Sequence, residues 1–335
     1  VSQTPGKANT SCGNKTTMSD AIAAVEWPFS EHGGASVVQE VGFGRLRERA
    51  AARPEAVAIG SLSDEPLTYG ALVGVMDSVG GGLRADGIVR TDVVGIVTPN
   101  GPIAATSFLS VANAAIAAPL NPSYREAEFE FYMRDLGMRA VVVPEGISRA
   151  AEDVARALGI EIIRPLADPG HGAGFFRINS SGSLDDPTEP DDVVLILHTS
   201  GTTSLPKMVP LKNRNLAASA EHIATTLRLT PEDRCLNVMP LFHIHGLVAA
   251  VLASLYAGAG VICAPGFHAP EFFSWMEQHR PTWYSAVPTI HQAIVERATR
   301  DGLSPPDGLR FARSSSSALA PQLMESLEEA LGVPV

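Results

Sequence analysis

Residues 197–211, LHTSGTTSLPKMVPL, set five hydroxyl side chains around one glycine and follow them with Lys207. Hydroxyls and backbone N–H groups donate to anionic oxygens, glycine admits a close approach, and lysine adds a mobile positive charge. Those are the means to hold a polyphosphate. The run before the loop, Val193 to Leu197, is continuously apolar and reads as a buried strand. Behind it, NRNLAASAEHIATTLRL places Leu216, Ile223 and Leu227 at helical spacing, with Asn215 as N-cap. Strand, hydroxyl loop, lysine and helix, in that order, make the expected phosphate grip. A Walker A loop is excluded, because G-x-x-x-x-G-K-[ST] is absent and Pro206 keeps a helix from starting at Lys207.

Three further stretches carry groups able to do chemistry. PLFHIHG holds His243 and His245, a pair that by itself is more often structural than metal-ligating, since no third ligand stands nearby. SAVPTIHQ places Ser285 and His291 where a strand enters a helix; His291 reads equally well as a surface histidine. RSSSSALAP, from Arg313 to Pro321, contributes Ser315, Ser316, Ser317 and Ala318 beside the arginine. A Ser–His hydrolase is disfavoured, because no G-x-S-x-G elbow exists and Ser200 stands among equivalent hydroxyls.

The elements that must position these groups alternate along the chain. Helical patterns at VVQEVGFGRLRERAAARP, LTYGALVGVMDSVGGGLRADG, GPIAATSFLSVANAAIA and RAAEDVARALG are interleaved with strand patterns at AVAIG, VVGIVTP, AVVVP and IEIIRP. Residues 165–192, dense in Pro, Gly, Asp and Ser, read as a linker. Strand and helix patterns then resume from VVLILH to IHQAIVERA. The expectation is an α/β protein of two stacked αβ lobes with largely parallel sheets. Residues 1–36 read as a disordered tail, 37–190 as the first lobe with its linker, and 191–335 as the second.

Composition sets the outer bounds. With 335 residues and 45% hydrophobic content, two packed cores are expected and wholesale disorder is excluded. A net charge of −11 argues against a nucleic-acid partner. Three widely spaced cysteines form neither a disulfide framework nor a zinc pattern, pointing to a reducing, cytoplasmic setting. No apolar run reaches the length of a membrane span, and the first twenty residues lack the pattern of a signal peptide.

HTSGTTSLPK resembles the signature loop of the acyl- and aryl-CoA synthetase, luciferase and peptide-synthetase adenylation superfamily. ARPEAVAI, LTYGAL, DVVGIVTPNG, APLNPSYREAEFEFYMRD, PLFHIHGL, SAVPTIHQ and SSSSALAPQL follow in the order and approximate spacing of that family's large N-terminal domain. The resemblance implies a two-step reaction using ATP, Mg2+ and coenzyme A: a carboxylate attacks the α-phosphate, and a thiol then takes the acyl group. It assigns Thr199, Ser200, Gly201, Thr202, Thr203 and Lys207 to the ATP phosphates. Thr202 would lie near magnesium carried by ATP. His243 and Lys207 would serve catalysis, with His243 between acyl pocket and adenylate. Ser285, His291, Arg313, Ser315, Ser316, Ser317 and Ala318 would line the adenine and acyl pocket. Ser204 and Met208 stand where many members have glycine.

The pocket's chemistry bears on the acid. A fatty-acid tunnel draws ~0.8 kcal/mol from each buried methylene, and serine, histidine and arginine would forfeit that while leaving polar groups unpaired. A small polar or dicarboxylic acid fits better, and the wording around GTTSLPK and VMPLFHIHGL is similar to the oxalyl-CoA synthetase branch. Medium- or long-chain fatty acids and aryl acids remain rivals, as does a non-catalytic nucleotide-binding relative. The chain ends at LEEALGVPV, before the family's Tyr-Gly-x-Thr-Glu-like motif and small C-terminal domain. It is therefore read as the large part of an acid–CoA ligase, with little activity by itself.

Overall fold

The computed structural model describes residues 43–199 and 206–335. Its strands in chain order are β1 (Val57–Gly60), β2 (Leu67–Thr68), β3 (Val93–Ile96), β4 (Ile116–Pro119), β5 (Ala140–Val142), β6 (Glu161–Ile163), β7 (Leu166–Ala167) and β8 (Phe176–Arg177). They continue as β9 (Val193–His198), β10 (Met208–Lys212), β11 (Arg234–Asn237), β12 (Gly260–Cys263), β13 (Trp283–Ala286) and β14 (Phe311–Ser314). The helices are α1 (Phe43–Ala52), α2 (Tyr69–Ala85), α3 (Pro102–Ala112), α4 (Glu126–Asp135), α5 (Arg149–Leu158) and α6 (Asn213–Thr226). A π-helical segment (His245–Leu252) runs into α7 (Ala253–Ala257), followed by α8 (Phe272–His279), α9 (Pro288–Asp301) and α10 (Pro321–Leu331).

Two six-stranded sheets form, ordered β10-β9-β4-β3-β5-β6 and β14-β13-β11-β12-β1-β2. Within these two sheets pairing is parallel except for β1 with β2 and β9 with β10, and β7 and β8 form a separate antiparallel pair. The chain exchanges strands between the sheets: residues 57–68 pair with the later strands, and residues 193–212 with the earlier ones. The division of strands between sheets therefore does not follow a boundary at residue 190.

Alternation along each strand feeds different layers. In β3, Val94 and Ile96 face a central core shared with Ile59, Val261 and Trp283 of the other sheet. Val93, one residue away, joins Phe129 and Met133 of α4 in an outer core. A second outer core packs Tyr284 of β13 against Phe272 and Met276 of α8 and Ile294 of α9. Helix α3 lies between the sheets, touching β3 and β4 on one side and β12 and the π-helical segment on the other. Its small Ala104, Ala105, Ser107, Ser110 and Ala112 are all buried, as are the larger Phe108 and Leu109, so the helix is packed on several sides.

Three local expectations change. Ile116 and Ala117, expected at the tail of a helix, belong with Ala118 and Pro119 to a central strand between β3 and β9; Asn113 ends α3, and complete burial overrides alanine's weak strand preference. The hydroxyl loop leads into the antiparallel strand β10, not directly into a helix. Helix α6 accordingly starts at Asn213, with Lys212 as N-cap; Asn215 sits three residues in, its Oδ1 accepting from the Lys212 N–H at 3.0 Å.

The Gly80–Gly81–Gly82 run in α2 is a packing groove. Residues of the 165–192 stretch lie against it, and a Cβ on Gly81 would overlap the Gly182 carbonyl. Gly74 of the same helix is exposed, with open space where a Cβ would be. Gly81→Ala is therefore expected to destabilise by roughly 1–3 kcal/mol or more through overpacking. Gly74→Ala is expected to stabilise by ~0.5–1 kcal/mol through helix propensity. Denaturant midpoints moving in opposite directions would bear this out; equal shifts would contradict it.

Candidate active site

Strands β13 and β14 pair in parallel with Trp283 opposite Phe311 and Ser285 opposite Arg313. Because side chains alternate, both pairs face the same side of the sheet. The first pair stacks with ring centroids 5.5 Å apart. The second brings the Arg313 Nη1 donor to 3.0 Å from Ser285 Oγ. Arg313 is half-buried, and burial holds its guanidinium below the usual value. Among the described residues no carboxylate pairs with it.

The turn after β11 delivers the third member. Gly246 permits it, since a Cβ there would approach the Pro240 carbonyl oxygen to 2.5 Å. Asn100, just beyond β3, receives the Leu241 N–H at 2.7 Å and donates to the Ala264 carbonyl at 2.8 Å. One amide thus stitches the carboxyl end of β3 to the loops leaving β11 and β12 in the other sheet. His245 then opens the π-helical segment, buried, with Nε2 2.6 Å from Ser285 Oγ and 3.4 Å from Arg313 Nη1. Its Nδ1 lies 2.9 Å from Ser316 Oγ.

The donors fix the tautomer. A guanidinium only donates, so the nearby Nε2 carries the lone pair and Nδ1 the proton. Hydrogen bonds then run from Arg313 to Ser285, from Ser285 to His245 Nε2, and from His245 Nδ1–H to Ser316. Burial, reinforced by the Arg313 cation and by His291 and His243, holds the His245 pKa down to about 4, so the ring is neutral at pH 7. Ser316 adopts φ 73°, in the left-handed region that favours glycine. A serine held there against that preference, with its hydroxyl on His245, marks a strained position at the site.

The hydroxyl loop opens from the carboxyl end of β9. Thr199 N–H donates to the Lys207 carbonyl at 3.0 Å, and Lys207 N–H to Thr199 Oγ1 at 3.3 Å, closing the hairpin base. Both residues are exposed, and Lys207 forms no ion pair among the described residues. Ser200, Gly201, Thr202 and Thr203 lie outside the described residues. No cluster of three or more His, Cys, Asp or Glu exists among the described residues. No described helix is long and apolar enough to cross a membrane.

Of the predicted pocket residues, the structure joins Ser285 and Arg313 directly and Ser316 through His245. Ser315 flanks them, its N–H on the Ala286 carbonyl at 3.2 Å, while Ser317 and Ala318 are exposed beyond. His243 is exposed, its ring 4.5 Å from Phe242, and makes no hydrogen bond to this network. His291 is fully buried, which removes the surface reading; its Nδ1 meets the Tyr284 hydroxyl at 3.1 Å, on the outer-core side of β13. His245 and Asn100 are the residues that sequence reasoning left without a role. The signal for His245 was present in PLFHIHG, but only the turn geometry separates it from His243.

The AMP-binding enzyme family model matches residues 46–335. A probable CoA ligase CCL9 from Humulus lupulus is 40% identical over 303 residues, covering 87% of this chain and 57% of that protein. An oxalate–CoA ligase from Arabidopsis thaliana is 41% identical over 278 residues, covering 80% of this chain and 54% of that protein. The chain thus spans little over half the length of these relatives. The crystal structure of ATP-bound MatB from Rhodopseudomonas palustris superposes with a TM-score of 0.74 at 24% identity, over 88% of this chain and 58% of that one. At that identity the likeness is one of fold.

Neutral His245 has a consequence for stability. Its ordinary pKa is 6.5 and the folded value is about 4, so on acidification the unfolded chain takes up the proton first. Stability is full above about pH 6.5 and falls between there and about pH 4. His291, also held down by burial, acts in the same direction. Thermal melts across this window should show a shallower loss for His245→Gln than for the unmodified protein; identical slopes would refute the assignment.

Proposed function

The chain belongs to the AMP-binding enzyme family, and on that premise we propose that it forms the large domain of an AMP-forming acid–CoA ligase for a small dicarboxylic acid such as oxalate. The observation that carries the choice of acid is Arg313: a half-buried cation whose side chain, among the described residues, bonds Ser285 and His245 and meets no carboxylate. Its free donors suit an anionic group, whereas an alkyl chain would leave them unpaired. The 41% identity to a protein named oxalate–CoA ligase supports the same reading.

In the proposed reaction one substrate carboxylate attacks the α-phosphorus of ATP, forming the acyl–phosphate bond and releasing pyrophosphate. The coenzyme A thiol then displaces AMP. Lys207 and the hydroxyl loop hold the phosphates, and Mg2+ arrives with ATP. Arg313 holds the acid's second carboxylate, and Ser285 fixes the guanidinium. Neutral His245, its Nδ1–H committed to Ser316, gives the pocket a wall that neither accepts a proton nor repels the dianion. His243 stands nearer solvent and is assigned to the substrate's path.

The test is equilibrium binding of oxalate and octanoate to the MgATP-loaded chain, before and after Arg313→Gln. Oxalate should bind more tightly than octanoate. The substitution should weaken oxalate by ~10–100-fold, the loss expected of a charge-assisted hydrogen bond of ~1.5–3 kcal/mol, and leave octanoate unchanged. Preference for octanoate, or indifference of oxalate to the substitution, would exclude the dicarboxylate reading.

A further inference from the structure

We propose that His198 and Asp135 form a latch that positions the phosphate loop; this rests on the reading of that loop as the ATP grip. His198 is the last residue of β9, and its side chain is only 7% exposed. Its Nε2 lies 3.1 Å from Asp135 Oδ2 at the end of α4. The ring meets Tyr132 of the same helix edge-on at 4.7 Å, and Tyr132 stacks on Tyr124 at 5.2 Å. An otherwise apolar strand thus ends in a nearly buried polar ring whose hydrogen bond runs to a neighbouring helix. That partner is what makes its burial tolerable.

The latch sits where the sheet gives least support. The register of β9 with β4 is at Leu195, three residues before His198, and beyond it β9 pairs only with β10. His198 opposes Met208, and the next rung is the Thr199–Lys207 pair that closes the loop. Any slide or twist of this rung displaces the lysine and the first hydroxyl together. Side-chain alternation places His198 on the same face as Ile196, which packs in the outer core with α4, so the latch extends an existing contact to the strand's end. Helix α4, packed through Phe129 and Met133, is the rigid support. His198 and Asp135 touch no substrate in this scheme; they are positioning residues.

The experiment measures ATP and AMP binding to the chain by calorimetry, using His198→Phe, Asp135→Ala and His198→Gln. Phenylalanine keeps the aromatic contact and loses the donor, and glutamine restores a donor. Asp135 is partly exposed, so its removal leaves the core intact if the histidine change does not. His198→Phe and Asp135→Ala should each weaken ATP roughly ten-fold while AMP, which lacks the phosphates the loop grips, is unaffected. The double variant should be no worse than either single one, and His198→Gln should recover most of the loss. Unchanged ATP affinity would overturn the latch, and so would equal loss of ATP and AMP, which signals general damage. Absence of ATP binding in the unmodified chain would overturn the phosphate-loop reading together with the latch.

Discussion

A guanidinium half-withdrawn from water, with no carboxylate to meet it among the described residues, is the constraint around which this site is arranged. Placing a cation in such surroundings is costly unless its donors find partners, and burial already holds Arg313 below its usual value. The protein meets part of that cost with neutral acceptors, Ser285 Oγ and His245 Nε2, which orient the group without cancelling its charge. A carboxylate in their place would have stabilised the arginine and closed the site to anions. Keeping His245 neutral follows from the same arrangement, because a second buried cation beside Arg313 would repel the first.

That arrangement needs three segments far apart in sequence to meet, and the exchange of strands between the sheets is how they do. Ser285 and Arg313 come from adjacent parallel strands, so their register alone sets their spacing. His245 comes from the loop after β11 and depends on Asn100 from the other sheet, which holds Leu241 and Ala264 at once. The carboxyl edges of the two sheets are thereby joined by side-chain hydrogen bonds as well as by the shared core. Ligands of open parallel sheets bind outside such edges, where loops leave the strands. Helix α3, buried on both sides, keeps the sheets at the separation this junction requires.

Much of this was legible beforehand because it is local. Apolar periodicity located β3, β5, β9, β11 and β13, and the hydroxyl loop announced itself by composition. What escaped depends on contacts that no window contains. IAAP has little strand preference and becomes a strand through burial between two others. The triple glycine of α2 weakens a helix in isolation and is explained only by the segment lying across it. In PLFHIHG two histidines two residues apart are equivalent on paper. The turn closed by Gly246 against Pro240 sends one inward and leaves the other exposed.

The hairpin at the hydroxyl loop shows why that distinction matters for mechanism. A loop entering a helix would present amides aligned with the helix axis, and the dipole would contribute to anion binding. Here the chain continues as β10, and α6 begins only after Lys212. On the proposed phosphate-binding reading, anion affinity then comes from side chains and from individually placed amides. That makes the orientation of Thr199 and Lys207 critical, since neither is buried enough to be held by packing. Their mutual hydrogen bonds fix them to each other, and only an attachment at the rung below can fix them to the protein. The buried ring of His198, bonded to the end of a packed helix, occupies that rung.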